Sequence, residues 1–304
     1  MKIAIIGAGT SGLYLADNLL KRGHEVTVFE KKSEIGNDVC SGLFSKRILD
    51  FIPESEKLIK NKINKVILNF PKKRISVDFS KEFLVMSHYD LDNLLAKKIK
   101  DKIALNSNIK ELPQGFDRII GCDGYNSFIR DYLQLKKPNY RLGILGFVNK
   151  PSSNNYVETW PCKNGFIWKI PRGSDTEYGI MANVKEANQL LDDFLKKNNI
   201  FVEKKAKLIP HGLIIPSNNK ITLCGDAAGI TKPWSGGGVV WGLFAADILL
   251  KTFPDFKKYN KELKKFFTPK TIISKIAVKS VYCLGFYLPW FLPKNSKMES
   301  DFLF

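Results

Sequence analysis

Hydrophobic and polar positions at the start of the chain alternate between two periods. Residues 2–7 (KIAIIG) form an almost continuous apolar run, which is typical of a buried strand. Residues 11–22 place apolar side chains on one face of a helix, and residues 25–30 (EVTVFE) return to strand spacing. The connections between these segments are short, so the pattern predicts a βαβ unit.

The next part of the chain predicts a hairpin, a helix and a further strand. Residues 63–70 and 74–79 are expected to pair as antiparallel strands around the turn Pro71-Lys72-Lys73. A helix is expected at about 90–100, and residues 117–122 form another apolar strand.

The pattern changes again beyond residue 136. Short strands separated by Gly, Pro and Asn turns are expected from about 140 to 182, followed by an amphipathic helix at 185–198. Residues 220–225 (KITLCG) predict a strand and residues 237–252 a helix. From 255 onward the sequence is expected to be helical and is rich in lysine.

The turn between the first strand and the first helix carries the pattern GxGxxG. Glycines there permit a tight turn, a close approach of backbone amides to a pyrophosphate, and helix–strand packing, while an acidic residue after the second strand can accept hydrogen bonds from ribose. The pyrophosphate would lie at the positive end of the helix. The motif alone does not separate FAD from NAD. The predicted dinucleotide contacts are Gly7, Gly9, Ser11, Gly12, Glu30 and Lys31.

Two later segments pair glycine with aspartate at the ends of predicted strands. Asp123 and Gly124 follow one strand, with Arg130 shortly after, and Asp226 follows another. An Asp at such a position can bind ribose or a ribityl chain. The triple glycine 236–238 opens a predicted helix, whose amides could face a site where negative charge develops. The further predicted cofactor contacts are Asp123, Gly124, Asp226, Gly236, Gly237 and Gly238.

These three signatures, in this order, resemble the flavin monooxygenase-like superfamily that includes the geranylgeranyl reductases. The resemblance covers about residues 1–250 and implies FAD as the cofactor. In many hydroxylase relatives an Arg lies in the stretch that corresponds to 85–92. This chain has His88 there, which we treat as a further FAD contact to be tested.

Two finer segments are similar to the geranylgeranyl reductases. Val39-Cys40-Ser41-Gly42-Leu43 resembles their CSG segment. Residues 166–171 (FIWKIP) resemble their YxWxFP segment, with Phe166 and Ile170 as departures, and also the WxWxIP box of flavin halogenases. Aromatic side chains two apart on a strand would line one face of a cavity suited to a polyprenyl chain, although ordinary sheet core is an equal alternative. The predicted substrate-cavity residues are Phe166, Trp168, Pro171 and Trp234.

The resemblance implies an α/β fold with an α+β insertion. A discontinuous Rossmann-type FAD-binding domain would be interleaved with an antiparallel-sheet substrate domain and followed by a helical, basic and apolar tail. The predicted FAD-binding segments are 1–62, 85–135 and 210–254, the substrate-domain segments are 63–84 and 136–209, and the tail is 255–304.

The implied activity is hydrogenation of C=C bonds in geranylgeranyl chains, as a diphosphate or an archaeal-type ether lipid. Reduced FAD would deliver a hydride, and Cys40 is the candidate for shaping the site or supplying the proton. Electrons would come from NAD(P)H or a ferredoxin. Three alternatives stay open: an aromatic hydroxylase or halogenase, an NAD-binding dehydrogenase, and a non-catalytic nucleotide-binding protein of the membrane surface.

Charge and cysteine content narrow the class of partners. The net charge of +18 would attract anionic partners, but no nucleic-acid motif accompanies it, so we expect no nucleic-acid partner. Five cysteines without a CxxC pair and three scattered histidines predict neither a disulfide framework nor a metal site. The chain starts directly in a strand, which predicts no secretory leader and a cytoplasmic protein.

The tail, residues 255–304, contains an amphipathic segment followed by an uncharged apolar segment. Residues 255–268 separate aromatic and leucine side chains from lysines on a helix, and residues 281–293 (VYCLGFYLPWFLP) are uncharged. This run is shorter than the roughly 20 residues that span a bilayer as a helix. It is expected either to pack on the core or to lie peripherally at the inner face of the membrane.

Overall fold

The computed structural model describes residues 1–36, 39–162 and 164–302. The strands are β1 (Lys2–Ile6), β2 (Glu25–Phe29), β3 (Leu43–Ser45), β4 (Asn61–Phe70), β5 (Lys73–Val85), β6 (Ile103–Ala104), β7 (Arg118–Gly121), β8 (Asn139–Val148), β9 (Tyr156–Cys162), β10 (Gly165–Pro171), β11 (Thr176–Ala182), β12 (Lys205–His211), β13 (Ile221–Leu223) and β14 (Asn295–Met298). The α-helices are α1 (Thr10–Lys21), α2 (Ile48–Phe51), α3 (His88–Ala96), α4 (Phe128–Tyr132), α5 (Ala187–Lys197), α6 (Val239–Thr252) and α7 (Phe256–Tyr287).

One sheet is parallel throughout and has the order β13-β7-β1-β2-β6. Its central strand β1 is apolar on both faces because helices cover the sheet, and Ile3 and Ile5 are fully buried. Parallel strands end at the same edge of a sheet. The turns that follow β1, β7 and β13 therefore lie side by side, and these turns carry the three glycine motifs.

The second sheet is mixed and has the order β12-β8-β11-β10-β9-β4-β5-β14, with β3 also paired to β5. This arrangement confirms the α/β fold class with a second, curled sheet, but that sheet is not purely antiparallel as predicted. The pairs β4–β9 and β5–β14 are parallel. Both pairs join strands that are remote in the sequence, so no hairpin turn imposes an antiparallel direction. The residue boundaries of the two predicted domains stay predictions.

Helices α1 and α6 pack together against the parallel sheet. Leu13, Ala16 and Leu19 give α1 one fully buried stripe, whereas α6 is apolar around most of its circumference. Ser11 lies at their closest approach, since a Cβ added to Gly242 would be 2.6 Å from its Oγ. The packing of α1 on α6 therefore links the first glycine motif to the third.

The predicted helical tail is correct only as far as Tyr287. Helix α7 begins after Asp255, whose side chain accepts from Lys258 N at 2.9 Å, and buries Tyr259, Leu263 and Phe267. Beyond it the chain turns and forms β14, which is a correction to the prediction. Two prolines in residues 288–294 cannot continue a helix, and β5 offers an open edge for pairing. Among the described residues, no helix is both long and apolar enough to cross a bilayer.

Candidate active site

The first glycine turn is shaped by close backbone contacts. Gly7 has φ +103°, and a Cβ there would lie 2.4 Å from Cys122 O. A Cβ on Gly12 would lie 2.1 Å from Gly7 O, so α1 can approach the strand only with glycine at this position. Gly9 differs, because among the described residues no atom outside its chain neighbours lies within 4 Å of the position its Cβ would take. The turn is therefore packed on the side of the sheet and open at Gly9.

The amino terminus of α1 faces this open space. Gly9 provides no side-chain cap, and the first turn contains no acidic residue. The amides there are free to receive an anion, and the helix dipole favours one. Glu30 lies beside the turn and accepts from Ala8 N at 2.8 Å, which leaves further lone pairs on its carboxylate. Lys31 is exposed at the same end of β2.

The second motif contains a buried carboxyl group with an unused oxygen. Asp123 Oδ2 accepts from Ile129 N at 3.1 Å, whereas Oδ1 is buried without a partner among the described residues. Burial raises the pKa of Asp123. Gly124 has φ +77°, and apart from its chain neighbours no atom of the described residues lies within 4 Å of a Cβ built there. The motif thus presents a polar oxygen beside open space.

Arg130 joins the second motif to the third. Its guanidinium is almost fully buried and donates to Tyr125 O at 2.7 Å and to Ala227 O at 3.2 Å. A planar guanidinium can bond both loops at fixed angles, which a lysine could not do. The spacing of Arg130 after Asp123 and Gly124 signalled this residue in the sequence, but not its second partner.

A cavity of about 140 Å³ lies between the third motif and the second sheet. Cys40, Trp168, Asp226 and the glycines 236–238 all line it, although they come from three distant parts of the chain. Gly238 lets Asp226 approach the glycine loop, since a Cβ there would be 2.6 Å from Asp226 Oδ1. The structure thus brings four of the predicted cofactor residues and one predicted substrate residue to one place, together with Cys40.

Three predicted cavity residues do not line this cavity. The ring of Phe166 lies 5.8 Å from that of Trp168 and packs into the core of the second sheet. Pro171 is buried at the end of β10, and Trp234 packs against Trp241 at 5.8 Å between ring centroids. Of the aromatic wall expected from the sequence, Trp168 alone reaches the cavity surface.

Cys40 lies beside a buried imidazole on the cavity wall. The side chains of Cys40 and His88 are hydrogen-bonded, and His88 Nε2 lies 3.5 Å from Asp92 Oδ1. Thr10 Oγ1 contacts His88 Nε2 at 2.8 Å and donates to Asp92 Oδ1 at 2.5 Å. This arrangement joins a thiol, an imidazole and a carboxylate, with Thr10 from the first turn of α1 bridging the last two.

The charges in this group change the acidity of the thiol. Burial opposes ionisation of both Cys40 and His88. Asp92 and Cys40 nevertheless raise the pKa of His88 to about 10, and His88 lowers the pKa of Cys40. A thiolate beside an imidazolium is therefore favoured, unlike an ordinary buried thiol. The sequence signal was weak, since His88 was considered only as a cofactor contact and Thr10 and Asp92 were missed.

A second buried polar group, formed by Glu177 and Arg172, fixes the indole ring of Trp168. Glu177 is fully buried, accepts from Trp168 Nε1 at 2.8 Å and pairs with Arg172 at 2.9 Å. Burial raises the pKa of Glu177 to about 8, although Arg172 and Trp168 oppose this effect. Arg172 also donates to Ser41 O, which fixes the segment that carries Cys40. No pattern in the sequence identified Glu177 or Arg172.

Two lysines add positive charge to the cavity wall. Lys207 Nζ lies 3.8 Å from Asp226 Oδ2, and Lys232 is buried in an ion pair with Asp301 at 2.6 Å. Asp301 comes from the end of the described chain, so this contact was not visible in the sequence. The cavity is therefore lined both by apolar side chains of the second sheet and by charged or reactive side chains.

Known proteins share both the sequence pattern and this architecture. Residues 5–50 match the family model of the NAD(P)-binding Rossmann-like domain. The digeranylgeranylglycerophospholipid reductase of Methanococcus vannielii is 29% identical over 309 aligned positions, which cover 86% of this chain and 79% of that protein. The protein of the same name from Methanocaldococcus jannaschii is 25% identical, with coverage of 82% and 76%.

Solved structures agree on the fold. A geranylgeranyl bacteriochlorophyll reductase-like protein from Thermoplasma acidophilum has a TM-score of 0.78 at 18% identity, and the match covers 92% of this chain and 87% of that one. A tryptophan 6-halogenase from Streptomyces toxytricini has a TM-score of 0.70 at 16% identity, with coverage of 86% and 75%. At these identities the two structures establish the shared fold alone.

The parallel sheet with three glycine motifs at one edge, and the cavity against a second sheet, define the class of FAD-dependent oxidoreductases. Within this class, the chain is a geranylgeranyl reductase-like enzyme that is similar to the digeranylgeranylglycerophospholipid reductases. The family resemblance predicted from the sequence is thereby confirmed. The fold and the relatives also point to a flavin as the cofactor.

Proposed function

We propose that this enzyme binds FAD and hydrogenates C=C bonds of the geranylgeranyl chains of an archaeal-type glycerophospholipid or of geranylgeranyl diphosphate. The observation that carries the proposal is the position of the Cys40–His88 pair in one cavity with Asp226 and the triple glycine. A reductase of isolated alkenes needs a flavin site and a proton source at the same place. The names of the curated relatives support this substrate class.

The chain's own residues fit an extended FAD. The open space at Gly9 and the uncapped amides of α1 would receive the pyrophosphate, and Glu30 would accept hydrogen bonds from ribose. The unused Oδ1 of Asp123 and the cavity-facing Asp226 offer acceptors for hydroxyl groups. Gly236, Gly237 and Gly238 would lie at the flavin ring. Reduced FAD, when bound, would supply a hydride.

The second hydrogen has to arrive as a proton. Cys40 and His88 share a proton in a hydrogen bond at the cavity wall. Asp92 and Thr10 hold the imidazole of His88 in place. Transfer of that proton to one alkene carbon, as hydride reaches the other, forms two C–H bonds and leaves the pair to be reprotonated from water. Asp92 favours the protonated imidazole, so at rest the imidazolium of His88 holds this proton beside the Cys40 thiolate. Cys40 is the proposed catalytic residue and His88 its partner.

The opposite wall suits a hydrocarbon. Leu145, Trp168, Met181 and Ile209 line it, and the indole nitrogen of Trp168 is turned away toward Glu177. The ring therefore presents carbon atoms to the cavity. An apolar wall keeps water from competing for the proton, which an unactivated alkene requires. Two electrons for each bond would come from NAD(P)H or a ferredoxin.

The test uses the purified full-length protein under anaerobic conditions. Flavin absorbance is first bleached with dithionite, and a geranylgeranyl glycerophospholipid is then added. We expect the absorbance of oxidised flavin to return while mass spectrometry shows addition of two hydrogens for each double bond. Bands that return only on admission of oxygen would contradict the proposal and favour a hydroxylase or halogenase.

A matched pair of variants separates binding from chemistry. Cys40→Ser should keep the bound flavin and its reduction by dithionite, yet slow its reoxidation by the lipid on the order of 100-fold, since general acid catalysis contributes about that much or more. Cys283→Ser, which changes an exposed cysteine far from the cavity, should behave as the wild type. Equal rates for the two variants would exclude Cys40 from the proton transfer.

A further inference from the structure

An exposed apolar surface extends from the second half of α7 into the turn that follows it. We call it the α7 surface and define it by Ile272, Ile276, Tyr287, Trp290 and Phe291. Tyr287, Trp290 and Phe291 are 76%, 67% and 68% exposed. Single exposed apolar residues are ordinary on a protein surface, but several on one side of a helix and in the turn after it mark an interaction site.

The helical period explains how these residues come together. Ile272, Ile276 and Tyr287 recur at intervals that place them on one side of α7, while the other side packs on the protein. Gly285 is buried there, and a Cβ on it would lie 2.2 Å from the ring of Phe70. The α7 surface is therefore held by β4 on its inner side and left open to solvent on its outer side.

The charge along this part of the chain has one sign. Residues 263–298 contain seven lysines and no Asp or Glu. Lys275 and Lys279 are exposed beside the isoleucines, and Lys294 is exposed just after the aromatic turn. Ser76 N donates a hydrogen bond to Lys294 O, so the β4–β5 hairpin lies next to the segment that carries Lys294. Lys72, in the turn of this hairpin, is also exposed.

We infer that the α7 surface docks on an anionic lipid bilayer, with its aromatic side chains in the headgroup region and its lysines on the phosphates. Apolar and aromatic residues flanked by lysines without acidic residues are the composition of helices that lie in a membrane interface. Self-association through this surface is disfavoured, because a symmetric pair would bring the same lysines together without carboxylates to balance them.

The anchoring of α7 relates the α7 surface to the cavity. Tyr282 Oη donates to Gly165 O at 2.8 Å, at the start of the strand that carries Trp168. After the α7 surface the chain passes through β14 to Asp301, which pairs with Lys232 on the cavity wall. Docking would thus hold the cavity at a fixed position relative to the lipid. The inference does not depend on the reductase assignment.

Cosedimentation of the full-length protein with vesicles tests the inference. We expect binding to vesicles of phosphatidylcholine mixed with phosphatidylglycerol, weaker binding to phosphatidylcholine alone, and weakening as salt is added. The double variant Trp290→Ser/Phe291→Ser should weaken binding about tenfold or more, since two aromatic side chains would be lost from the interface. Phe201→Ser is the matched control, because Phe201 is 89% exposed outside the α7 surface.

Variants that reverse the charge of lysines provide a second test of vesicle binding. Lys279→Glu/Lys294→Glu should weaken binding to the mixed vesicles by roughly fivefold or more for each lysine. Lys196→Glu/Lys197→Glu, which makes the same charge change on exposed positions of α5, should have a much smaller effect. Equal losses for both pairs would mean a nonspecific charge effect. Absence of vesicle binding, or a dimer in sedimentation velocity that Trp290→Ser/Phe291→Ser disrupts, would overturn the inference.

Discussion

Lys232 Nζ lies 2.6 Å from Asp301 Oδ1, and both side chains are almost completely buried. The pair joins the loop before the triple glycine to the last part of the described chain. Ser45 also donates to Asp301 Oδ2, and Trp241 Nε1 donates to its carbonyl at 3.0 Å. The carboxylate and the backbone carbonyl of Asp301 therefore connect the segment at Ser45 with residues 232–241, which lie far from both Ser45 and Asp301 in the sequence.

Removal of this carboxylate should be costly. In Asp301→Ala, the ammonium group of Lys232 stays buried without its partner, and we expect the free energy of unfolding to fall by about 3–5 kcal/mol. The double variant Lys232→Met/Asp301→Leu should recover most of the loss, because it removes both charges. Urea denaturation measures each variant. Lys297→Ala, an exposed neighbour, should change stability by less than about 0.5 kcal/mol, and an equal loss there would contradict the prediction.

The acidity of Cys40 should depend on His88. Since the imidazolium lowers the pKa of Cys40, the thiolate persists to lower pH than for an ordinary cysteine, and alkylation by iodoacetamide should stay fast there. In His88→Asn the midpoint of the rate profile should move upward, toward or above the ordinary value of about 8.5. Mass spectrometry of the alkylated peptide gives the rate for Cys40 alone.

This experiment is best done in a Cys283→Ser background, because Cys283 is exposed and would consume the reagent. Thr10→Val should produce a smaller shift in the same direction, since it removes a hydrogen bond to the imidazole and the carboxylate. Identical midpoints for His88→Asn and the parent would show that the pair does not set the acidity of Cys40.

Gly9→Val should remove bound flavin without unfolding the protein. The space around Gly9 is open and its φ of −83° suits any residue, so the valine side chain would enter the proposed pyrophosphate position. We expect little change in the thermal midpoint of the apoprotein and loss of flavin absorbance after gel filtration. Stoichiometric flavin in this variant would refute the role of the first motif.

Glu177 should make stability depend on pH with a negative slope. Its pKa in the folded state is raised to about 8, above its ordinary value, so between about 4.5 and 8 the folded protein retains a proton that the unfolded chain has released. The free energy of unfolding should therefore fall as pH rises through this window, by up to about 1.4 kcal/mol per pH unit. The difference between wild type and Glu177→Gln isolates this contribution. Parallel pH profiles of the two proteins would disprove it.

The linear order of the motifs was sufficient to predict the Rossmann-type half of the molecule. Apolar runs around 2–7 and 117–122 and the glycines that follow them are local signals, because strand length and turn conformation are decided within a few residues. The family followed from the same positions. The parallel β5–β14 pair was not predictable in this way, since no local pattern states which distant strand completes an edge.

The sequence by itself thus determined the strands, the glycine turns and the class of cofactor that they favour. It also determined some of the side chains that line the cavity, including Cys40 and Trp168. Only the tertiary structure decided that Cys40 meets His88 and Asp92, that Glu177 holds Trp168, and that Phe166 and Trp234 lie elsewhere. The physical reason is that hydrogen bonds and ion pairs act over a few ångströms in space, whatever the separation of their partners along the chain.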